Sequence, residues 1–394
     1  EARLERRRDG AATVRVKTDL REAALGAAGL GWQKPPGAPA MAEATLRLQG
    51  ESLRAAEGLR LDAPGLLLRG AARFGGDGRL AAAEIAEGRF GAGRFTGALT
   101  APAAPDGPWQ VTLQGPTLDL GPLQEAAARQ ARDAAPDTPQ PPLAARLRFE
   151  RLLLGPGRDL HGVDGTLAMD AAGLLREAAL EGRTRAGGEG GFSLRLRPEG
   201  AGRALSLRAA DAGGLFDALD LTGAIRGGRL AVEARYAETR PGAPLAGTAE
   251  LDDFVLRDAP AAAKLLQVAS VYGIPEAIMN GRGLGFHKLI APFALTPETL
   301  TLTETRAFSA SLGFTAAGTV WRRQQRLDLE GTIVPSYLLN SLLGHVPVLG
   351  KLFSPEKGGG LFAATWRMQG PIADPGVSVN PLAALTPGSA IGPC

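Results

Sequence analysis

LAARLRFE, residues 143–150, is the stretch that decides the fold. Leu143, Ala145, Leu147 and Phe149 alternate with Ala144, Arg146, Arg148 and Glu150. Successive side chains of an extended chain point to opposite faces, so this run predicts a strand with one aliphatic face and one polar face. The same period recurs in both directions. Upstream, Val14 and Val16 oppose Arg15 and Lys17, and Leu46 and Leu48 oppose Arg47 and Gln49. Downstream it returns at Phe192, Leu194 and Leu196, at Leu205 and Leu207, and at Leu230, Val232, Ala234 and Tyr236. It returns again at Leu300 and Leu302, at Leu312, Phe314 and Ala316, and at Leu327 and Leu329, with Thr301, Thr303, Thr315, Asp328 and Glu330 as polar partners. Turn residues punctuate these runs at Gly50, Pro64-Gly65, residues 75–78, Gly88, Gly91, Gly93 and Gly97. Such spacing predicts a meander of half-buried antiparallel hairpins.

Composition narrows the function classes. The 394 residues include 54 Gly and 29 Pro, which requires many turns, and only 5% aromatics, so buried faces are built from Leu, Ala and Val. The 44 basic and 41 acidic residues are interspersed and leave a net charge of +3. A nucleic-acid protein needs a concentrated basic stripe, and none is present. Arg3, Arg6, Arg7 and Arg8 read as a solvated arm, with an anionic membrane surface as the alternative partner. One cysteine, Cys394, gives no disulfide framework and no metal cluster. No uninterrupted apolar run reaches about 18 residues, the minimum for a spanning helix. Because the chain starts at Glu1, it is expected to be an excerpt whose membrane anchor lies upstream.

Within the chain, residues 1–132 read as one meander segment with a terminal helix. WQVTLQGPTLDL (109–120) gives two short strands, and an Ala-rich helix follows from Leu123. DAAPDTPQPP (133–142) is a proline-rich linker or exposed loop, a second meander fills 143–247, a third region covers 248–387, and 388–394 is a tail. An irregular repeat, strand then aspartate-bearing turn then short apolar helix, occurs from Leu118, Ala209 and Leu256. Asp211 and Asp258 stand where an N-cap carboxylate accepts the first free helix N–H groups.

Residues 331–381, GTIVPSYLLNSLLGHVPVLGKLFSPEKGGGLFAATWRMQGPIADPGVSVNP, read as a strand ended by Pro335, a broken apolar helix over 337–353, a glycine turn and further strands. GTIVPSYLLNSLLGHVPVLGKL and GGGLFAATWRMQGPIADPGVSVNPLAAL resemble the C-terminal region of the AsmA-like family, the YhdP- and TamB-type bridge-like lipid transporters of Gram-negative envelopes. LDDFVLRDAPAAAKLLQVASVYGIPEAI and FHKLIAPFALTPETLTLTETRAFSASLGFTAAGTV fit the same pattern, so the resemblance spans residues 248–387.

No arrangement supports catalysis, a metal or a cofactor. His161, His287 and His345 stand in unrelated contexts; GRGLG (281–285) lacks the third glycine of a dinucleotide fingerprint; Ser309 and Ser336 have no nucleophile elbow. Asp252 and Asp253 are neighbours in a strand and are expected on opposite faces. The chain reads as non-enzymatic.

One aliphatic face per strand over about 20 strands must be covered, since exposed apolar surface costs roughly 25 cal/mol per Å². A second sheet, closure into a barrel, or a curled sheet filled by ligand would each serve, and patterning leaves the three open. The resemblance implies the last. It makes the fold mainly β, an elongated, curled antiparallel sheet forming an open U-shaped groove, with a few short amphipathic helices. It implies phospholipid as partner, carried between inner and outer membrane in the periplasm, with envelope proteins at the groove ends. The groove floor then includes Leu194, Leu196, Leu205, Leu207, Val232, Leu300, Leu302, Leu312, Phe314, Leu327 and Leu329. Leu338, Leu342, Val348, Leu349, Leu352 and Phe353 would touch a membrane or partner, or plug the groove end. The rival reading is a periplasmic scaffold for outer-membrane protein assembly.

Overall fold

In the computed structural model, alternation becomes hydrogen-bonded ladder. The structure describes residues 2–6, 11–27, 32–125, 141–188, 190–257, 283–309, 312–335 and 364–380. The chain divides into two compact units, Glu1–Pro198 and Glu199–Cys394. In the first, the strands are β1 (Ala2–Arg6), β2 (Ala11–Asp19), β3 (Leu25–Ala27), β4 (Trp32–Lys34), β5 (Met41–Gln49), β6 (Ser52–Ala63), β7 (Leu66–Phe74), β8 (Leu80–Phe90), β9 (Gly93–Thr100), β10 (Trp109–Asp119), β11 (Leu143–Gly155), β12 (Arg158–Met169), β13 (Leu175–Arg183) and β14 (Gly191–Glu199). All but β3 and β4 join one ladder in chain order. The second holds β15 (Gly202–Ala209), β16 (Ile225–Tyr236), β17 (Leu245–Leu256), β18 (Leu284–Leu295), β19 (Thr299–Phe308), β20 (Leu312–Trp321), β21 (Arg326–Pro335), β22 (Ala364–Pro371) and β23 (Gly376–Asn380), each antiparallel to the next. The protein is mainly β, and the sheet is not closed into a barrel.

One pair departs from the meander. β10 and β11 run parallel, Trp109 opposite Leu143 and Phe149 opposite Gly115. A parallel neighbour needs a crossover of a dozen or more residues, which the connection over 120–142 supplies. The proline-rich stretch therefore joins two adjacent strands of the same unit. Its residues 133–140 lie outside the described residues, as does most of the Ala-rich helix expected from Leu123; the helical turn that is described covers 121–125.

Register converts the sequence period into a continuous surface. In the second unit a single cross-strand row runs Leu205, Ala234, Gly247, Phe293, Leu302, Gly318, Leu329, Met368, Val377, with no polar side chain in it. In the first unit the corresponding row starts at Leu4, Val14, Leu46 and Ala56 and ends at Ala145, Leu167, Ala178 and Leu196. Every strand of each ladder adds one apolar residue to its row. The opposite face carries cross-strand ion pairs such as Lys17–Glu43 at 2.8 Å, Arg148–Asp164 at 2.7 Å and Lys288–Glu250 at 2.9 Å. Exposed pairs of this kind are worth about 0–1 kcal/mol, so they keep that face wet more than they hold the fold.

Two local readings of the sequence change in the structure. Residues 109–119 form one strand rather than two, because Gly115-Pro116 is absorbed as a bulge between Gln114 and Thr117. Pro292 likewise coincides with a register shift between Ile290 and Phe293, where a missing N–H does least damage to the ladder. Gly88 and Gly97 are not turns but interior residues of β8 and β9, facing the apolar side. A Cβ on Gly88 would stand 2.4 Å from the Phe95 ring, so the glycine leaves space for that ring.

Candidate functional site

The structure brings most of the sequence-predicted groove residues onto the apolar face. Leu205, Leu302 and Leu329 are members of the row above; Leu207 faces Val232, Leu300 faces Val320, and Val320 faces Leu327. Phe314 lies between Ala307 and Ile333, and Leu194 and Leu196 lie opposite Leu180 and Ala178 in the first unit. Leu312 is placed by its backbone, opposite Pro335. Leu338, Leu342, Val348, Leu349, Leu352 and Phe353 lie outside the described residues, as do His345, Ser336 and Asp258.

This face is only partly covered. Leu196, Val232 and Leu327 are buried, but Leu194, Leu205, Leu207, Leu300, Leu302, Phe314 and Leu329 are half-exposed. Among the described residues, the elements outside the two ladders are the hairpin β3–β4, the helical turn at 121–125 and the helix Ala212–Ala218. Asp211 caps that last helix, accepting a 3.0 Å hydrogen bond from Gly214 N. Ala212, Leu215 and Ala218 are buried, and exposed Leu219 and Leu221 follow. Among the described residues the only sheet outside the two ladders is the two-stranded hairpin β3–β4, too small to seal the apolar rows.

The hairpin β3–β4 does cover one place. Trp32 packs with Leu66 and Phe90, with Leu61, Leu68 and Phe95 around them, and its Nε1 donates to Pro64 O at 2.9 Å. Lys34 is 2% exposed, its ammonium donating to three backbone carbonyls, Arg21 O, Ala23 O and Pro35 O, at 2.7–3.0 Å. A buried charge is tolerated when its donors are fully used, and here they are. The second unit has its own tryptophan cluster. Trp366, 3% exposed, stacks on Phe314 with ring centroids 4.9 Å apart and packs with Ala316, Leu327, Ile333 and Met368. Its Nε1 has no hydrogen-bond partner among the described residues, and neither has the Oγ1 of Thr305, which is 5% exposed. Neither tryptophan, nor Lys34 or Thr305, was legible as a site. Trp32 and Lys34 lie in a three-residue strand with no periodicity to mark them, and the unpaired donors of Trp366 and Thr305 are a property of three dimensions.

Apart from buried Lys34 and Arg203, which lies over the Tyr236 ring, the ionic groups named below sit on the other face and are engaged with one another. Asp253 has φ +52, which breaks the strand alternation, so the expected separation of Asp252 and Asp253 onto opposite faces fails. Asp253 takes Arg229 at 2.7 Å, and Asp252 lies 3.8 Å from Lys288. Phe254 is thereby turned to the apolar side, beside Leu251, where it stacks on Phe286 at 5.1 Å. His287 Nδ1 stands 3.9 Å from Asp253, and His161 Nε2 stands 3.5 Å from Asp159, which also takes Arg151 at 2.7 Å. These carboxylates are bound to bases of the sheet surface rather than aimed at a cleft.

No family model, curated protein or solved structure matches this chain. Its surface must therefore be read on its own terms. Among the described residues, no helix is long and apolar enough to cross a membrane and no group of three or more His, Cys, Asp or Glu is placed to hold a metal ion.

Proposed function

We propose that this chain is a segment of a lipid-transfer protein whose apolar face carries phospholipid acyl chains between the inner and outer membranes of a Gram-negative envelope. The observation that carries the reading is the unbroken apolar row that crosses every strand of each ladder, with buried members such as Ala234 and Met368 and only half-buried ones such as Leu205, Phe293, Leu302 and Leu329. Each CH₂ removed from water lowers the free energy by about 0.8 kcal/mol, and hydrocarbon is the covering that such a row accepts without further protein. Small residues interleave with large ones along the row, so the floor offers many similar contacts and few deep wells. A chain can slide on it. The polar face, laced with ion pairs, remains in water. The resemblance of residues 248–387 to the AsmA-like family supports the same reading, and supplies the periplasmic location, the upstream inner-membrane anchor and the envelope partners at the groove ends. The protein has no catalytic step of its own in this account.

The test is direct. Protein purified without detergent is extracted with chloroform and the extract analysed by mass spectrometry. The proposal expects phospholipid in stoichiometric or greater amount; protein free of lipid in repeated preparations contradicts it and leaves a scaffolding role in outer-membrane protein assembly.

A further inference from the structure

We infer that the polar face of the first unit holds a carbohydrate-binding groove across β7 to β12, which takes a linear neutral oligosaccharide. The groove faces away from the apolar row and does not depend on the lipid reading. Two hollows form it, one of about 710 Å³ over β7 to β10 and one of about 530 Å³ over β9 to β12, and Thr96 and Gln114 line both. Register shifts fall around them, between Arg69 and Gly70, between Ile85 and Gly88 and between Gln114 and Thr117. Bulges bend a strand, and here they leave the face concave.

Register also shows what the larger hollow is made of. One cross-strand row runs Arg73, Ala82, Thr100, and the next runs Ala71, Glu84, Ala98, Thr112. Alanine stubs therefore alternate with longer polar side chains across the strands, and along β9 as well, in Thr96, Ala98, Thr100. A third row, Thr96, Gln114, Arg148, Asp164, joins the two hollows. Arg73, Glu84, Thr96, Thr100, Thr112 and Gln114 are all exposed, so a ligand reaches each of them. Elsewhere this face closes neighbouring strands with ion pairs, such as Arg47–Glu57 and Arg148–Asp164, both at 2.7 Å. In the larger hollow the side chains of Arg73, Glu84, Thr100, Thr112 and Gln114 have no partner among the described residues.

These groups select the ligand. Arg73 and Glu84 are the charged residues of the larger hollow, one of each sign, so a polyanion finds none of the basic excess that it needs. No aromatic side chain lines it for a base to stack on. Hydrocarbon would leave the donors and acceptors stranded. An extended peptide adds to a strand edge, and β7 to β10 are each paired on both sides. A sugar fits on both counts: its hydroxyls donate and accept at one atom, as threonine does, and its C–H faces are apolar. The alanine hollows seat the C–H faces, while Thr, Gln, Arg and Glu meet the hydroxyls.

The experiment titrates the 394-residue chain with maltohexaose, cellohexaose and chitohexaose by calorimetry, with inorganic polyphosphate as the polyanion control. At least one hexasaccharide is expected to bind with a millimolar or tighter Kd, and polyphosphate is not expected to displace it. Thr112→Val and Gln114→Leu should each weaken binding about five- to tenfold, the effect of one lost hydrogen bond. Ala98→Leu fills a hollow and should abolish it, whereas Thr301→Val, in the second unit, should leave it unchanged. Failure of all three hexasaccharides to bind the wild type overturns the inference without needing any variant to fold. So does displacement of the sugar by polyphosphate, or full binding by folded Ala98→Leu protein.

Discussion

Trp32 and Trp366 do the same packing in the two units, and they differ in one atom's circumstances. Each is more than nine-tenths buried on the apolar side, and each is the largest side chain of its cluster. Trp32 Nε1 has Pro64 O at 2.9 Å, whereas Trp366 Nε1 has no partner among the described residues. The first tryptophan closes its corner with protein alone: the β3–β4 hairpin brings the ring, and the turn after β6 brings the acceptor. The second buries its donor without a partner among the described residues. The difference separates an indole donor satisfied by its own unit from one left unsatisfied inside a packed cluster.

Removing either ring should be the largest effect. Trp32→Ala and Trp366→Ala are each expected to cost about 3–5 kcal/mol in denaturant unfolding followed by circular dichroism. Equal losses would confirm that the rings pack alike, and a negligible loss at either would break the comparison. Next come the glycines that make room for the aromatic rings. Gly331→Ala puts a Cβ 1.9 Å from the Thr315 carbonyl oxygen, while Gly88→Ala meets the Phe95 ring at 2.4 Å. Overpacking costs about 1–3 kcal/mol, and Gly331 should sit at or above the top of that range because backbone cannot swing aside. Trp→Phe substitutions then sharpen the contrast. At position 32 the change leaves Pro64 O unpaired and should cost about 1–3 kcal/mol beyond any loss of contact, whereas at position 366 no hydrogen bond among the described residues is lost. The smallest effect lies on the polar face. Arg367 donates to both Asp328 oxygens, at 3.2 and 3.0 Å, and this hydrogen bonding holds the Asp328 carboxyl below its ordinary value. A carboxylate with a lowered folded-state pKa adds stability above its unfolded pKa and loses it as pH falls through the folded one. Acid titration of Asp328→Asn should therefore differ from wild type only slightly at neutral pH, and the two should converge in acid.

Much of the fold was legible because side-chain period two survives one substitution at a time. Leu302, Leu329 and Val232 were assignable to an apolar face from their neighbours alone, and the register places them there. Pro335 was readable as a strand end, and it is the last residue of β21. Glycine was the weak point. Gly88 and Gly97 look like turns in sequence, but a residue without a side chain also serves as the small partner opposite a ring or a leucine, and only the neighbouring strand tells which. The parallel step between β10 and β11 was hidden for a similar reason: alternation is the same in either direction, so direction is decided by the length of the connection. Asp253 misled because one residue at positive φ reverses the faces of all that follow.

The claim that most needs testing is that the partly covered apolar row is covered by lipid. A photoreactive residue at Leu302, on that row, should give phospholipid adducts in living cells, and the same residue at neighbouring Thr301, on the polar face, should give none. Protein adducts at Leu302 without lipid, or equal lipid labelling at both positions, would contradict it.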